Sequence, residues 1–218
     1  MRSVLLQTID FKLHERPEPD LLPSGITSFD SAFGGVPRGC VTDIFGPASS
    51  GRTSLLFSLI SQATARDEYC ALVDASDAFD PTSAAAAGVA LARLLWIRCG
   101  GNAEHALKAT DLLLQAGGFG LVAMDLGDIA PATARRISLA SWYRLRRAVE
   151  NTPTALVVAE RAPHARACAQ FAVECARNRE TWSGTPGCSQ LLRGAEFAAK
   201  RRKPLLPACA VMQAYALR

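Results

Sequence analysis

Residues 46–53 constrain the fold of this chain more than any other stretch, because they read Gly-Pro-Ala-Ser-Ser-Gly-Arg-Thr between two apolar runs. The run before them, residues 41–45, is typical of a buried strand, and residues 54–60 follow with a helical pattern. Glycines in such a loop let backbone N–H groups close around phosphate at a helix N-terminus. The sequence therefore predicts a phosphate-binding loop, whose candidate contact residues are Gly46, Ser49, Ser50, Gly51, Arg52, Thr53 and Ser54.

One position departs from the usual form of this loop. The spacing is that of G-x-x-x-x-G-K-[ST], but Arg52 stands where lysine is expected. A lysine adds a compact charge to the β- and γ-phosphates, whereas an arginine head is larger, planar and suited to bidentate contact. The motif thus predicts the ancestry of the loop and leaves open whether a nucleotide still binds.

Composition narrows the class of protein. A chain of 218 residues with 49% apolar content suits one domain of ordinary size with a buried core. No run of 18 uncharged apolar residues is present, and residues 1–20 lack the apolar region of a secretory signal. The seven cysteines are scattered and form no C-x-x-C pair, which favours reduced thiols in the cytoplasm. The net charge of +4 permits contact with nucleic acid but does not argue for it.

Short apolar runs alternate with helical patterns along the rest of the chain. This alternation predicts an α/β fold, with a mostly parallel central sheet, helices on both faces and a C-terminal antiparallel hairpin. Residues 1–22 are predicted to be an arm and linker, and residues 23–218 the domain. The predicted strands are residues 94–98, 119–125, 154–160 and 168–177; the helices are 28–33 (with Ser28 as N-cap), 103–116 and 132–149; residues 181–189 are a loop, and residues 194–200 and 208–217 form the hairpin around a basic turn at 200–203.

Two motifs together resemble the core of the RecA-type recombinases. Residues 22–39 read L-P-S-G-I-x-S-F-D-x-x-F-G-G-x-P-R-G, and the phosphate loop follows as G-P-x-S-S-G-R-T. The resemblance covers roughly residues 22–206 and implies the P-loop fold of that family. It implies a second core strand and its turn over residues 72–81, followed by a short helix over residues 84–88. It also implies that Asp125, at the end of an apolar strand, is the Walker B acid. The alternative for Asp125 is a structural carboxylate that caps the next turn.

The same resemblance implies that the hydrolytic machinery is lost. Ser76 stands at the position of the water-activating glutamate, and Glu160 stands at that of the glutamine that senses the γ-phosphate. Asp77 is adjacent to Ser76, but along a strand it points the other way unless the turn has already begun. We therefore expect ATP turnover to be absent or very slow, so that the chain is not an enzyme. ATP with Mg²⁺ held through Thr53 and Asp125 remains an alternative for the cofactor; no other metal site is indicated, because His14, His105 and His164 are isolated.

Basic residues form two further candidate surfaces. On the predicted helix over residues 132–149, apolar residues share one side and five arginines fall opposite: Arg135, Arg136, Arg144, Arg146 and Arg147. A solvated surface is one interpretation of this face, and docking of nucleic acid or an acidic partner is the other. By resemblance, Lys200 and Arg202 match a lysine pair that reaches a neighbour's nucleotide in RecA filaments; a charged hairpin tip is the alternative.

The remaining features indicate an accessory protein rather than a recombinase. Only residues 126–131 and 161–167 occupy the places of the long DNA-binding loops of RecA. Residues 175–177, 182–187 and 191–194 resemble the truncated RecA homologues of bacterial mutagenesis cassettes, the ImuA type. That resemblance implies a role in the SOS response to DNA damage and in translesion synthesis, with RecA or a translesion polymerase-like protein as partner and no membrane. A small P-loop ATPase of DNA repair and a DNA-binding module are the alternatives.

Overall fold

The structure, a computed structural model, describes residues 20–184, 189–205 and 207–215, without the side chain of Arg166. The described residues form an eight-stranded sheet in the order β10-β9-β8-β3-β7-β6-β4-β5. These strands are β3 (Val41–Phe45), β4 (Cys70–Asp74), β5 (Leu94–Arg98), β6 (Leu121–Asp125), β7 (Ala155–Glu160), β8 (Phe171–Ser183), β9 (Leu191–Lys203) and β10 (Cys209–Tyr215). Strands β8, β3, β7, β6, β4 and β5 pair with one another in parallel. Strand β9 pairs antiparallel with both β8 and β10. The predicted α/β class and parallel sheet are confirmed.

Helices cover both faces of this sheet. They are α1 (Thr27–Phe33), α2 (Arg52–Ala65), α3 (Pro81–Ala86), α4 (Ala103–Ala116), α5 (Pro131–Ala134) and α6 (Leu139–Val149). One buried cluster joins α1, α2 and α3 to the sheet, and we call this side the loop face because α2 follows the phosphate loop. A second cluster joins α4, α5 and α6 to the opposite side, the rear face. Alternate residues of each buried strand point to the two clusters, as the period of a strand requires.

The N-terminal part of the described chain differs in detail from prediction. Helix α1 begins at Thr27 after Ile26, and no side chain caps it, so Ser28 is not its N-cap. Instead the carboxylate of Asp30 accepts the N–H groups of Ser24 and Gly25 and thereby fixes the turn before the helix. The domain boundary predicted between residues 22 and 23 coincides with the end of β1 (Leu21–Leu22), which pairs with β2 (Val36–Pro37); residues 1–19 of the predicted arm lie outside the described residues.

The single helix predicted over residues 132–149 is wrong, because two helices occupy it. Helix α5 ends at Ala134, and α6 begins after Ser138, whose hydroxyl accepts the N–H of Ser141. A serine competes with the helical backbone in this way and so favours a new helix start. Helix α6 still buries Trp142, Leu145 and Val149 against the rear face. Its apolar side therefore agrees with prediction.

Three further boundaries are corrected. Helix α3 spans Pro81–Ala86 rather than 84–88, because Asp80 caps it at Thr82 and Ser83 and proline occupies its first turn. Strand β8 begins at Phe171, after a short 3-10 helix (Ala165–Ala167), and continues to Ser183 through the start of the predicted loop. Residues 185–188 of that loop lie outside the described residues.

The predicted C-terminal antiparallel hairpin is present as β9 and β10, and β8 pairs with β9 to form a long antiparallel ribbon. Strands β8 and β9 pair from Ala172 with Lys203 to Ser183 with Leu191, with three bulges. Residues 200–203, predicted as a turn, belong to β9, and Lys200 pairs with Cys209 of β10. Among the described residues, no helix is both long and apolar enough to cross a bilayer.

Candidate phosphate-binding site

The phosphate loop connects β3 to α2 as predicted, and its two glycines are required by space. A Cβ atom at Gly46 would clash with the carbonyl oxygen of Cys175 on β8. A Cβ atom at Gly51 would lie 2.7 Å from the ring of Phe197 on β9, and Gly51 has a left-handed φ of 88°. The loop therefore wraps the start of α2 while it touches the two strands of the ribbon.

Two buried polar atoms at this loop lack a hydrogen-bond partner among the described residues. They are Oγ of Ser50, whose residue is 1% exposed, and Nε of Arg52, whose residue is 8% exposed. A buried polar group without a partner costs on the order of 1–3 kcal/mol, so such atoms in a native fold call for a ligand or water. Both lie at the N-terminus of a 14-residue helix, where backbone N–H groups favour an anion.

The head of Arg52 lies near the acid at the end of β6, and both groups flank Gly127. A Cβ atom placed at Gly127 would lie 2.9 Å from Nη1 of Arg52 and 2.9 Å from Oδ1 of Asp125. The carboxylate of Asp125 also accepts the N–H of Gly127 at 2.7 Å. Gly127 thus lies directly against both charged groups, and its missing side chain leaves the space that they share.

The electrostatics of this pair are set by burial and mutual attraction. Burial lowers the pKa of Arg52, and the nearby charges of Asp125 and Asp128 act in the opposite direction. Burial raises the pKa of Asp125, while the Gly127 hydrogen bond and the charge of Arg52 oppose that rise. Each charge compensates the other in a region of poor solvation. Arg161 holds the same turn from outside, because its Nε donates to the Gly127 carbonyl at 2.7 Å and its Nη2 lies 3.0 Å from Asp128.

A cavity of about 220 Å³ opens over the loop. One wall contains all but one of the predicted contact residues, namely Ser49, Ser50, Gly51, Arg52, Thr53 and Ser54; Gly46 is not part of it. The ribbon supplies the other wall, with Arg177, Glu180, Leu192, Ala195 and Phe197. Arg177 and Glu180 form an ion pair across that wall at 2.5 Å. The cavity is large enough for phosphate groups and small for a whole nucleotide.

The turn after β4 brings no carboxylate into this cavity. Asp77 has a left-handed φ of 58°, and its carboxylate accepts Nη2 of Arg98 at 3.1 Å and the N–H of Gly100 at 3.2 Å. Asp77 therefore faces the β5–α4 connection. Ser76 has a buried hydroxyl with no partner among the described residues. Asp74 organises the turn, since it accepts the N–H groups of Ser76, Ala78 and Phe79.

Glu160 points to the rear face. Its carboxylate accepts the N–H of Ala165 at 2.8 Å and lies 3.0 Å from Nδ1 of His164, and it also hydrogen-bonds the side chain of Asp43. Burial raises the pKa of Glu160, and the bonds to Ala165 and His164 oppose the rise. Along β7, Leu156 and Val158 face the same way and belong to the rear-face cluster. Glu160 therefore lies on the other side of the sheet from the helix that follows the phosphate loop.

The predicted basic residues are divided between two places. Arg136 and Arg144 line a groove of about 850 Å³ between α4 and α6, together with Lys108. Arg135 and Arg147 are exposed and Arg146 is half-buried, while Arg144 also pairs with Asp111 at 3.4 Å. Far along the chain, Arg202 forms an ion pair with Glu174 of β8, and Lys200 is exposed.

Three important residues escaped the sequence analysis. Phe197 covers Gly51 across 146 positions of sequence separation from a strand with no motif. Nothing in the sequence indicated why residue 127 is glycine; in the structure a side chain there would contact Arg52 and Asp125. Asp74 carried a signal, because it ends an apolar strand next to the strand of Asp125, with which it is in register.

The residues fit the phosphate part of a magnesium nucleotide better than the metal. The helix start, the glycines and the partnerless Ser50 and Arg52 atoms suit an anion. A divalent cation needs oxygen ligands, and the acid that would supply one lies beside a guanidinium. Among the described residues, no group of three potential His, Cys, Asp or Glu ligands is gathered for a metal ion.

Comparisons with known proteins agree with this geometry. The family model described as the RecA N-terminal domain matches residues 9–135. Over 118 residues the chain is 40% identical to Protein RecA of Rickettsia canadensis, covering 52% of this chain and 34% of that protein. Over 153 residues it is 32% identical to Protein RecA of Deinococcus radiodurans, covering 63% and 42%. The chain thus matches well under half the length of these relatives.

A solved structure extends the similarity to nearly the whole fold. The crystal structure of the RadB recombinase superposes with a TM-score of 0.65 and 17% identity, covering 90% of this chain and 96% of that chain. At that identity the likeness concerns the fold, including the strands beyond the family match. Because the RecA N-terminal domain model spans more than half of the sequence, from before α1 to the end of α5, this chain belongs to the RecA family.

Proposed function

We propose that this chain is a RecA-like accessory protein of the DNA-damage response that acts by binding a partner and does not turn over ATP. The observation that carries the proposal is the direction of Glu160, whose carboxylate is bonded to Ala165 and His164 on the rear face. The residue that takes the sensing position by resemblance is thereby withdrawn from the phosphate loop. With Arg52 near Asp125 and Ser76 unable to act as a base, no residue at the positions that the resemblance assigns to catalysis can activate water.

Loss of turnover with retention of the fold suits a protein whose surface is its function. The proposed partners are RecA, the name that the similar proteins carry, or a translesion polymerase-like protein, as in the SOS-linked mutagenesis cassettes. A cytoplasmic setting goes with this proposal. Burial raises the pKa of the Cys70 and Cys175 thiols to about 12, so they are stable as protonated core residues in reducing surroundings.

The end of the β8–β9 ribbon is the surface we assign to the partner. Trp182 is 50% exposed and lies opposite Leu192 in the strand register, and Leu191 is 58% exposed beside them. Exposed aromatic and aliphatic side chains grouped in this way are typical of protein–protein contact sites. Nε1 of Trp182 donates to Glu180 at 2.9 Å, which restrains the indole next to a register shift of the ribbon.

A pull-down of purified RecA and of translesion polymerase components from the same organism tests the proposal. We expect capture by the full chain and at least about tenfold weaker binding by the Trp182→Ala variant, as hot-spot aromatics behave. Tyr69→Ala changes another exposed aromatic residue, on the far side of the chain from the ribbon, and serves as the control. Failure to capture either protein, or steady ATP turnover that depends on Arg52, would overturn the proposal.

A second candidate, a DNA-binding module, is favoured by the groove between α4 and α6. Its basic lining of Lys108, Arg136 and Arg144 suits a phosphate backbone. Binding of single-stranded DNA there should weaken steeply with salt, and Arg136→Glu with Lys108→Glu should abolish it. DNA binding that survives these changes would exclude this groove.

A further inference from the structure

The phosphate site contains a cation of its own at the position where the Walker B acid ends its strand. Nη1 of Arg52 and Oδ1 of Asp125 converge on the space next to Gly127. We propose that Arg52 takes the place of a divalent cation in this site, so that the loop holds phosphate groups without metal. The inference rests on the proposed function in one respect, because a chain that does not turn over ATP needs no metal for catalysis at this site.

The first step is charge. A carboxylate that helps to hold Mg²⁺ needs oxygen atoms that are open to the ion or to its water ligands. Asp125 already accepts the N–H of Gly127, and Nη1 of Arg52 lies close to the same glycine. A second cation at this carboxylate would be repelled by the arginine, whose charge persists at every physiological pH.

The second step is the fixed position of the arginine. Arg52 is 8% exposed, and it is the first residue of α2, so its backbone cannot move without the helix. Gly127 is buried, and a side chain there would overlap both charged groups. Arg161 holds the turn of Gly127 from outside through the Gly127 carbonyl. The arginine is therefore built into the site and does not swing in from solvent.

The third step concerns what the loop can still bind. The Nε of Arg52 is a buried donor without a partner, and the hydroxyl of Ser50 is a buried donor without one. Both lie where α2 presents its first N–H groups, and the cavity above them measures about 220 Å³. Two phosphate groups joined by an anhydride fit this chemistry. They can come from a nucleoside diphosphate or from free pyrophosphate.

Thermal unfolding of the full chain with millimolar ADP or pyrophosphate, in EDTA or in MgCl₂, tests the proposal. We expect a rise in Tm of a few degrees that is the same in EDTA and in MgCl₂, as ligand linkage requires for a metal-free ligand. A rise with ADP alone assigns the site to a nucleotide, and a rise with both probes assigns it to the diphosphate group. A rise that needs Mg²⁺, or no rise with either probe, overturns the proposal.

Variants separate the roles of the two charged residues. Arg52→Met should remove the shift in EDTA, and Arg93→Met, at a surface ion pair with Asp67, should leave it unchanged. In MgCl₂, Asp125→Asn should retain the full shift of the wild type, because no metal is held through that carboxylate; loss of the shift in MgCl₂ would count against the proposal. Should Arg52→Met fail to fold, Asp125→Asn still decides. A negative pull-down with RecA leaves these shifts unchanged, so the two proposals fail separately.

Discussion

The carboxylate of Glu160 lies 3.0 Å from Nδ1 of His164, on the face of the sheet away from α2. This contact explains how a charged residue is tolerated at the end of β7, which lies next to β3, the strand that leads into the phosphate loop. Glu160 is 1% exposed, so its charge is costly, and its bonds to His164, Ala165 and Asp43 offset part of that cost.

Replacing Glu160 by glutamine should reduce the loss of stability as pH rises. Burial raises the pKa of Glu160 above its ordinary value of 4.5, so between that value and the raised one the folded state binds more protons than the unfolded state. The contribution of Glu160 to stability is therefore fully present below 4.5 and is lost as pH rises through the folded pKa. In Glu160→Gln, Tm should exceed that of the wild type increasingly from pH 4.5 towards neutrality, as measured by calorimetry.

Glu104→Gln, an exposed glutamate of α4, provides the control, because its charge is already solvated. Equal pH profiles for the wild type and Glu160→Gln would show that the buried carboxyl group does not titrate in this range.

Gly127→Ala should destabilise the fold by about 1–3 kcal/mol, since its methyl group would overlap Arg52 and Asp125. Chemical denaturation measures this change. In an Arg52→Ala background the space next to Gly127 is open on one side, so the same substitution should cost less. A cost that is equal in both backgrounds would contradict the contact between residues 52 and 127.

Asp74→Asn should lower the free energy of unfolding by about 2 kcal/mol or more, because an amide has one acceptor oxygen, whereas both carboxylate oxygens of Asp74 accept hydrogen bonds. Asp74 is 2% exposed and accepts the N–H groups of Ala78 and Phe79 and Nε1 of Trp96. Asp77→Asn is the matched control three positions on. It should cost under about 1 kcal/mol, since its ion pair with Arg98 is solvated. Similar free energies of unfolding for the two variants would refute the organising role of Asp74.

Restoring the lysine alone should not restore an ATPase. In Arg52→Lys the phosphate-gripping ammonium returns, but Ser76 still supplies no base and Glu160 still faces the rear side. Phosphate release in Mg²⁺ and ATP should stay at the background rate for this variant. Clear turnover by Arg52→Lys would mean that another residue activates water.

Several parts of the fold followed from local pattern. Strand β5 and helix α4 have the predicted bounds, because a short apolar run and a helical period are local signals that packing did not override. The phosphate loop was also visible, since glycines and hydroxyl residues at fixed spacing between a strand and a helix have few other uses. Helix α2, which follows the loop, begins at Arg52, before residue 54, where the predicted helical pattern starts.

Other parts were not local. The break between α5 and α6 depends on the hydroxyl of Ser138, which competes with an otherwise continuous helical pattern. The extension of β8 through Ser183 depends on its pairing with β9, which overrides a sequence rich in turn residues.

The sequence by itself determined that a phosphate-loop scaffold carries arginine in place of its lysine, and by resemblance it predicted that the base and the sensing amide are replaced, because residue identity at fixed spacing is a one-dimensional property. Only the tertiary structure decided where the replacements point. Arg52 and Asp125 both lie against Gly127, and Glu160 turns to His164, because the register of the parallel strands and the packing of α2 bring distant residues together. Side-chain direction depends on those non-local contacts, which no short stretch of sequence contains.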